Sequence, residues 1–140
     1  MPALTRPAPT TAIVSELHLP ADSSRLRTAR RHVEHAAARV GLDPDRSSRF
    51  VYAVNEAVTN AIRHGAPDHK GLIRLRTVIE NERLTVHVQD SGDFVAPAMP
   101  PGRDADHGRG FTLMARFADE VLLHVRPGAT IVTLSVARSS

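Results

Sequence analysis

The amino-acid sequence contains no cysteine and no tryptophan, and aromatic residues make up only 4% of its 140 positions. Without cysteine the chain can form neither a disulfide nor a thiolate nucleophile or metal ligand, which fits a reducing compartment. No apolar run approaches the roughly 18 residues that a membrane span requires. The first residues also lack the long apolar core and the small-residue cleavage pattern of a secretory signal. We therefore expect a cytoplasmic protein that makes no contact with membranes.

Lysine is nearly absent, since only Lys70 among the 18 basic residues is a lysine, and the formal net charge is +3. The first predicted helix and the residue before it are basic, since they contain five arginines: Arg25, Arg27, Arg30, Arg31 and Arg39. Such charge would suit a nucleic acid, but the sequence has few aromatic residues and no recognisable nucleic-acid motif. A solvated or protein-binding face is the favoured interpretation, and no direct nucleic-acid contact is expected.

The length of the chain suits a single domain that follows a short N-terminal tail. Residues 1–10 hold three prolines and two threonines and offer little that could enter a core, so they are interpreted as a flexible tail. We expect the domain to extend over residues 11–138.

Two amphipathic helices are predicted in the first half of the domain. In the first, apolar residues recur at helical spacing from Leu26 to Val40, and Gly41 supplies the left-handed stop. Asp43 caps the second, Pro44 occupies its first turn, and Gly65 ends it. A third, shorter helix is predicted to start at Gly108.

Five segments have the pattern of β-strands. They are Ala12–Leu19, Leu72–Glu80, Arg83–Asp90, Glu120–Val125 and Thr130–Val136. Tight turns are expected at Asn81 and Glu82 and across the sequence RPGA, whereas the proline-rich segment Ser91–His107 is expected to be a loop. Neighbouring strands joined by tight turns indicate a mostly antiparallel sheet with the helices on one face. The predicted fold class is therefore α+β, a two-layer sandwich.

The stretch NEAVTNAIRHG, within the second helix, carries Glu56, Asn60 and His64 at steps of four residues. At about 100° per residue the three side chains occupy a sector of about 80°, on the side away from the apolar face. On its own this polar stripe is typical of a solvated helix surface.

Two further segments carry candidate binding groups. Asp90 ends a strand with a buried pattern and is followed closely by Gly92, so a carboxylate that could accept an exocyclic amine lies beside backbone without a Cβ. Gly108, Arg109 and Gly110 open a helix, where free N–H groups, the helix dipole and a guanidinium suit a polyphosphate. Each signal alone is weak, because a G-x-G can simply begin a helix.

The order of these segments resembles the motifs of the GHKL ATP-binding superfamily. The matching segments are E-x-x-x-N-A at 56–61, D-x-G at 90–92, G-x-G-F-x-L-M at 108–114 and G-A-T-I-V-T-L at 128–134. Within that superfamily the chain is similar to the anti-sigma-factor serine kinases of bacteria. The resemblance implies the Bergerat sandwich fold, ATP and Mg²⁺ as cofactors, a sigma factor as one partner, and an anti-anti-sigma protein phosphorylated on serine as the other. Whether the chain forms a homodimer is left open.

The resemblance also implies residue roles that the chemistry of each side chain allows. Asn60 would bind Mg²⁺ through its amide oxygen, and Glu56 would be the base that orients the attacking serine hydroxyl. Asp90 would receive the adenine amino group, with Gly92 admitting the ring. Gly108, Arg109 and Gly110 would hold the phosphates, and Thr130 would lie near the adenine. His64 is given no catalytic role.

Phe94 stands where the family pattern has a second glycine after Asp90 and Gly92. An active kinase is favoured because Glu56 and Asn60 are both present. The alternatives are an anti-sigma binding module with weak or structural nucleotide binding, and, from charge alone, a nucleic-acid-binding regulator. His32 and His35 lack a cluster of further ligands, so no metal site other than the magnesium site is expected.

Overall fold

The computed structural model describes residues 11–64, 71–90 and 112–139. The predicted tail, the predicted loop Ser91–His107 and the glycine-led start of the third helix lie outside these residues. Every strand predicted from the sequence is present. Their bounds are β1 Ile13–Pro20, β2 Leu72–Glu80, β3 Arg83–Asp90, β4 Glu120–Arg126 and β5 Ala129–Ala137.

The five strands form one sheet in the order β1-β2-β3-β5-β4, and every pairing is antiparallel. The β2–β3 turn consists of Asn81 and Glu82, whose φ angles of 53° and 59° are those of a two-residue hairpin turn with left-handed backbone at both positions. This turn pairs Glu80 with Arg83 and so sets the register of the whole hairpin. The predicted turn and both strand bounds are confirmed.

The β4–β5 turn is tighter than predicted. Arg126 and Ala129 are paired in the ladder, so only Pro127 and Gly128 form the turn, and the four-residue connection expected from RPGA was too long. The proline ring fixes its own φ, and Gly128 adopts a φ of 77°, so two residues suffice to reverse the chain.

The helices are α1, Leu26–Val40, α2, Pro44–His64, and α3, residues 112–117, and a short 3₁₀ turn at Ser23–Arg25 leads into α1. The helix α1 ends at Gly41, which has a φ of 88° and donates its N–H to the carbonyls of Ala37 and Ala38. The Asp43 carboxylate accepts the N–H of Arg46 at 2.9 Å and so caps α2. Both predicted helix boundaries are therefore confirmed.

The helices α1 and α2 pack on one face of the sheet and bury its core. Alternate residues of β3 (Leu84, Val86, Val88) face the helices and are fully buried, as is Phe50 of α2. From α3, Met114 also enters this core with no exposed surface. The opposite face of the sheet, which none of the described helices covers, carries polar side chains such as Arg74, Arg76 and Gln89. Within the described ranges, no helix combines the length and apolarity needed to cross a membrane.

Candidate functional site

The α2 face that carries the polar stripe borders the core. Glu56 and Asn60 are half-buried and lie one helical turn apart, so their side chains lie on the same side of α2. Ala57 and Ala61, the residues that follow them, are buried against the sheet. A fully solvated stripe would leave both polar side chains exposed, so this helix surface is partly covered. His64 is the last residue of α2, and its side chain lies outside the described part of the chain.

Asp90 lies at the end of β3 and is almost completely buried. It is paired with Ile73 of β2 on one side and with Thr130 of β5 on the other, and all three residues are on the sheet face that packs against the helices. The exposed fractions of Asp90 and Thr130 are only 5% and 4%. Because α2 packs against β2, β3 and β5, this buried polar row lies on the sheet face that α2 covers.

Thr130 carries a buried hydroxyl without a hydrogen-bond partner among the described residues. A buried polar atom left in this state costs on the order of 1 to 3 kcal/mol. Native proteins retain such atoms mainly where a ligand or a water completes the bond. The unpaired Oγ1 belongs to the residue paired with Asp90, so a ligand with hydrogen-bonding edges, such as an adenine ring, can complete its bond.

The helix α3, which follows the glycine-led segment in the sequence, is packed against the core and α2. Met114 is fully buried, and the ring of Phe117 stacks edge-to-face on Tyr52 of α2 with the ring centroids 5.7 Å apart. The end of the segment is thus tied to α2. The predicted phosphate-binding residues Gly108, Arg109 and Gly110 lie outside the described residues, as do Gly92 and Phe94.

The sequence reasoning did not single out Ile73, although it is the buried neighbour of Asp90 in β2. The register of the β2–β3 hairpin was sufficient to predict this neighbour. With Glu80 paired to Arg83, counting seven residues outward along each strand brings Ile73 opposite Asp90. With an exposed fraction of 1%, Ile73 supplies an apolar wall beside the carboxylate.

The profile of the histidine kinase-like ATPase domain family matches residues 19–136. The anti-sigma F factor of Thermoanaerobacter sp. (strain X514) is 33% identical over 111 residues, which cover 71% of this chain and 78% of that protein. The serine-protein kinase RsbW of Bacillus velezensis is 29% identical over 129 residues, covering 83% of this chain and 81% of the relative.

A crystal structure of the RsbU and RsbW domains of a Mycobacterium tuberculosis protein has the same fold. It superposes with a TM-score of 0.67 at 24% identity, over 88% of this chain and 32% of that longer chain. The chain therefore belongs to the histidine kinase-like ATPase family, in the branch of the anti-sigma factors, and the fold implied by the motifs is confirmed.

Proposed function

We propose that the protein is an ATP-dependent serine kinase that holds a sigma factor inactive and phosphorylates an anti-anti-sigma protein. The observation that supports this most directly is the buried Asp90–Thr130 pair, with its unpaired hydroxyl, at the interface with the helix that carries Glu56 and Asn60. The relatives named anti-sigma F factor and serine-protein kinase RsbW support the choice of a sigma factor as one partner and of a protein serine as the phosphoryl acceptor. We assign the function to a domain of residues 11–138 and to the cytoplasm, where sigma factors act.

Each residue of the proposed site has a distinct part. The Asp90 carboxylate accepts a hydrogen bond from the exocyclic amine of adenine, and the Thr130 hydroxyl gains in that pocket the partner that it lacks within the described chain. Gly92 leaves room for the ring, and the N–H groups around Gly108 and Gly110, with the Arg109 guanidinium, hold the phosphates.

The reacting end of the proposed site is on α2. The Asn60 amide oxygen is a hard ligand suited to Mg²⁺. When bound, Mg·ATP would supply the γ-phosphoryl group and release ADP, and the Mg²⁺ would offset the negative charge of the phosphates. Glu56, one turn before Asn60, orients the serine hydroxyl of the antagonist protein and accepts its proton.

The test of this proposal is phosphate transfer in a reconstituted mixture of the protein, its antagonist and radiolabelled ATP. Glu56→Gln keeps the size of the side chain but removes the base, so transfer should fall about 10²- to 10⁴-fold while ATP affinity and sigma-factor binding stay unchanged. Glu34→Gln, an exposed glutamate of α1, is the matched control and should transfer label like the wild type. Equal transfer by wild type and Glu56→Gln would remove Glu56 from the chemistry.

A second candidate is an anti-sigma binding module without kinase activity. The observation that favours it is Phe94, a bulky side chain in place of a glycine in the segment after Asp90. In that case the wild type would bind its sigma factor but transfer no label. Phe94→Gly would then restore nucleotide affinity if crowding of the nucleotide is the cause.

A further inference from the structure

A second polar cleft lies between α1 and the β1–β2 edge of the sheet. Its volume is about 190 Å³, the share of roughly six water molecules in the liquid. The cleft is separate from the proposed nucleotide site. Thr77 in its wall is paired with Val86, and Asp90 lies four residues further along β3, about 13 Å at the rise of a β-strand.

The polar lining of this cleft consists of one guanidinium, two imidazoles and two hydroxyl groups. His32, His35 and Arg39 follow one another along a single side of α1, and the hydroxyl residues Ser15 of β1 and Thr77 of β2 line the cleft from the sheet. The rest of the lining is apolar, from Ile13, Ala36 and Ile79. Among the described residues that line the cleft, none carries a carboxylate.

The nearest acidic residue in β1 is on the opposite face of the sheet. Glu16 pairs there with Arg74 at 2.6 Å, so it does not neutralise the cleft. A bound anion would therefore meet the Arg39 guanidinium and the two imidazoles without a competing carboxylate among the lining side chains.

Thr77 is a buried hydroxyl residue whose bonds within the protein are poor. Its exposed fraction is 3%, and its Oγ1 lies 3.5 Å both from the Ser15 carbonyl oxygen and from Nε2 of His32. Hydrogen bonds of an O–H group are normally 2.5 to about 3.0 Å long. The hydroxyl is thus free to donate to a better acceptor placed in the cleft.

We propose that this cleft binds a small oxyanion of the phosphate type, held by Arg39 as a permanent cation and by His32, His35, Ser15 and Thr77 as donors. Charge-assisted hydrogen bonds of this kind are short and strong. The site is distinct from the nucleotide pocket and does not depend on kinase activity.

Affinity at this site increases as the pH falls. Burial, and then the neighbouring His35, hold the pKa of His32 below its ordinary value, so this imidazole is neutral at physiological pH. An anion favours the protonated form and raises the pKa of His32, and by linkage protonation tightens anion binding. The other groups that line the cleft are His35 and Arg39 of α1, Ser15 of β1 and Thr77 of β2, and none of these is an acid.

The experiment follows the imidazole C–H resonances by NMR while the full chain is titrated with inorganic phosphate or sulfate at constant ionic strength. The resonances of His32 and His35 should shift and saturate, whereas those of the exposed His18 and His124 should not move with them. Sulfate, which does not titrate near neutrality, isolates the effect of the protein. The affinity of the protein for sulfate should be at least about threefold higher at about pH 6 than at about pH 7.5.

Two variants and one control test the assigned contacts. Arg39→Gln should weaken sulfate binding about tenfold or more, and Thr77→Val, which keeps the shape of the side chain, severalfold. Arg27→Gln, an exposed arginine of α1 outside the cleft, should bind like the wild type. Unchanged affinity in Arg39→Gln, or equal shifts at His18 and His124, would overturn the proposal.

Discussion

At the scale of a single residue, the Thr130 hydroxyl should lower the stability of the free protein and, in our proposal, strengthen nucleotide binding. This hydroxyl is buried without a partner in the described structure, whereas the side chain of Thr133, three residues along β5, points to the other sheet face, where its Oγ1 lies 3.0 Å from Nδ1 of His87. The same side-chain type is thus satisfied on one face and unsatisfied on the other. In our proposal the unsatisfied one faces adenine.

Thr130→Val should therefore make the free protein more stable and its nucleotide complex weaker. Removing an unpaired buried hydroxyl should raise the free energy of unfolding by about 1 kcal/mol, and the lost contact should weaken ADP binding about five- to tenfold. Thermal unfolding and calorimetry measure the two effects. Thr133→Val is the matched control, since it breaks an existing contact and should gain no stability and lose no ADP affinity.

Asn60 tests the metal site at the same scale. Asn60→Ala removes the proposed oxygen ligand from a half-buried helix position, so the Mg²⁺-dependent part of ATP affinity should disappear while binding without Mg²⁺ persists. Calorimetry with and without Mg²⁺ separates the two. Asn55→Ala, at another half-buried asparagine of α2, should keep the dependence. An unchanged Mg²⁺ effect in Asn60→Ala would show that another group holds the ion.

His87 lies on the sheet face that the described helices leave open, and it should make the stability of the fold depend on pH. Burial, and secondarily the Arg76 guanidinium, hold the pKa of His87 below the ordinary value of 6.5. The folded state thus favours the neutral imidazole. Stability gained in this way is fully present above about pH 6.5 and is lost as the pH falls through the lowered pKa.

The free energy of unfolding should accordingly fall between about pH 7 and pH 5, and His87→Gln should flatten this slope. Urea unfolding at a series of pH values measures it. His124→Gln, an exposed histidine of β4, should leave the slope as it is. A steeper slope in His87→Gln than in the wild type would contradict the assignment.

At the scale of the element, the cap of α2 determines how well the helix that carries the proposed catalytic residues is anchored. Asp43→Ala removes the carboxylate that accepts the Arg46 N–H, which should cost about 1 kcal/mol of stability. Chemical denaturation measures the loss. Asp45→Ala, on the exposed first turn, should cost less, because the Asp45–Arg49 ion pair is solvent-exposed. Equal losses in the two variants would argue against a capping role.

The elements that the sequence predicted best are those with local signals. Gly41 and Asp43 marked the helix boundaries, and Asn81 and Glu82 marked the hairpin, because caps and tight turns are determined by a few neighbouring residues. The RPGA turn was predicted too long, since the pattern alone does not show that Pro127 and Gly128 suffice. No local sequence pattern predicts that the Thr130 hydroxyl is unpaired.

At the scale of the whole molecule, the order of the strands in the sheet was not predicted from the sequence. The last described strand, β5, lies between β3 and β4, a pairing between residues some forty positions apart such as Asp90 and Thr130. No pattern within either strand specifies that partner. The motif resemblance implied that Thr130 lies near the adenine, but only the sheet shows that Thr130 is the neighbour of Asp90.

The position of β5 between β3 and β4 also has a consequence for the order of events during synthesis. A chain still growing on the ribosome has Glu56, Asn60 and Asp90 well before residues 129–137 emerge. At about 5 to 20 residues per second, that interval lasts seconds. Until β5 inserts, Asp90 lacks its neighbour on one side and β4 has no strand to pair with. In our proposal, the adenine contacts of Asp90 and Thr130 are therefore complete only in a finished molecule, and a nascent chain would bring no half-formed kinase into contact with the proposed sigma factor.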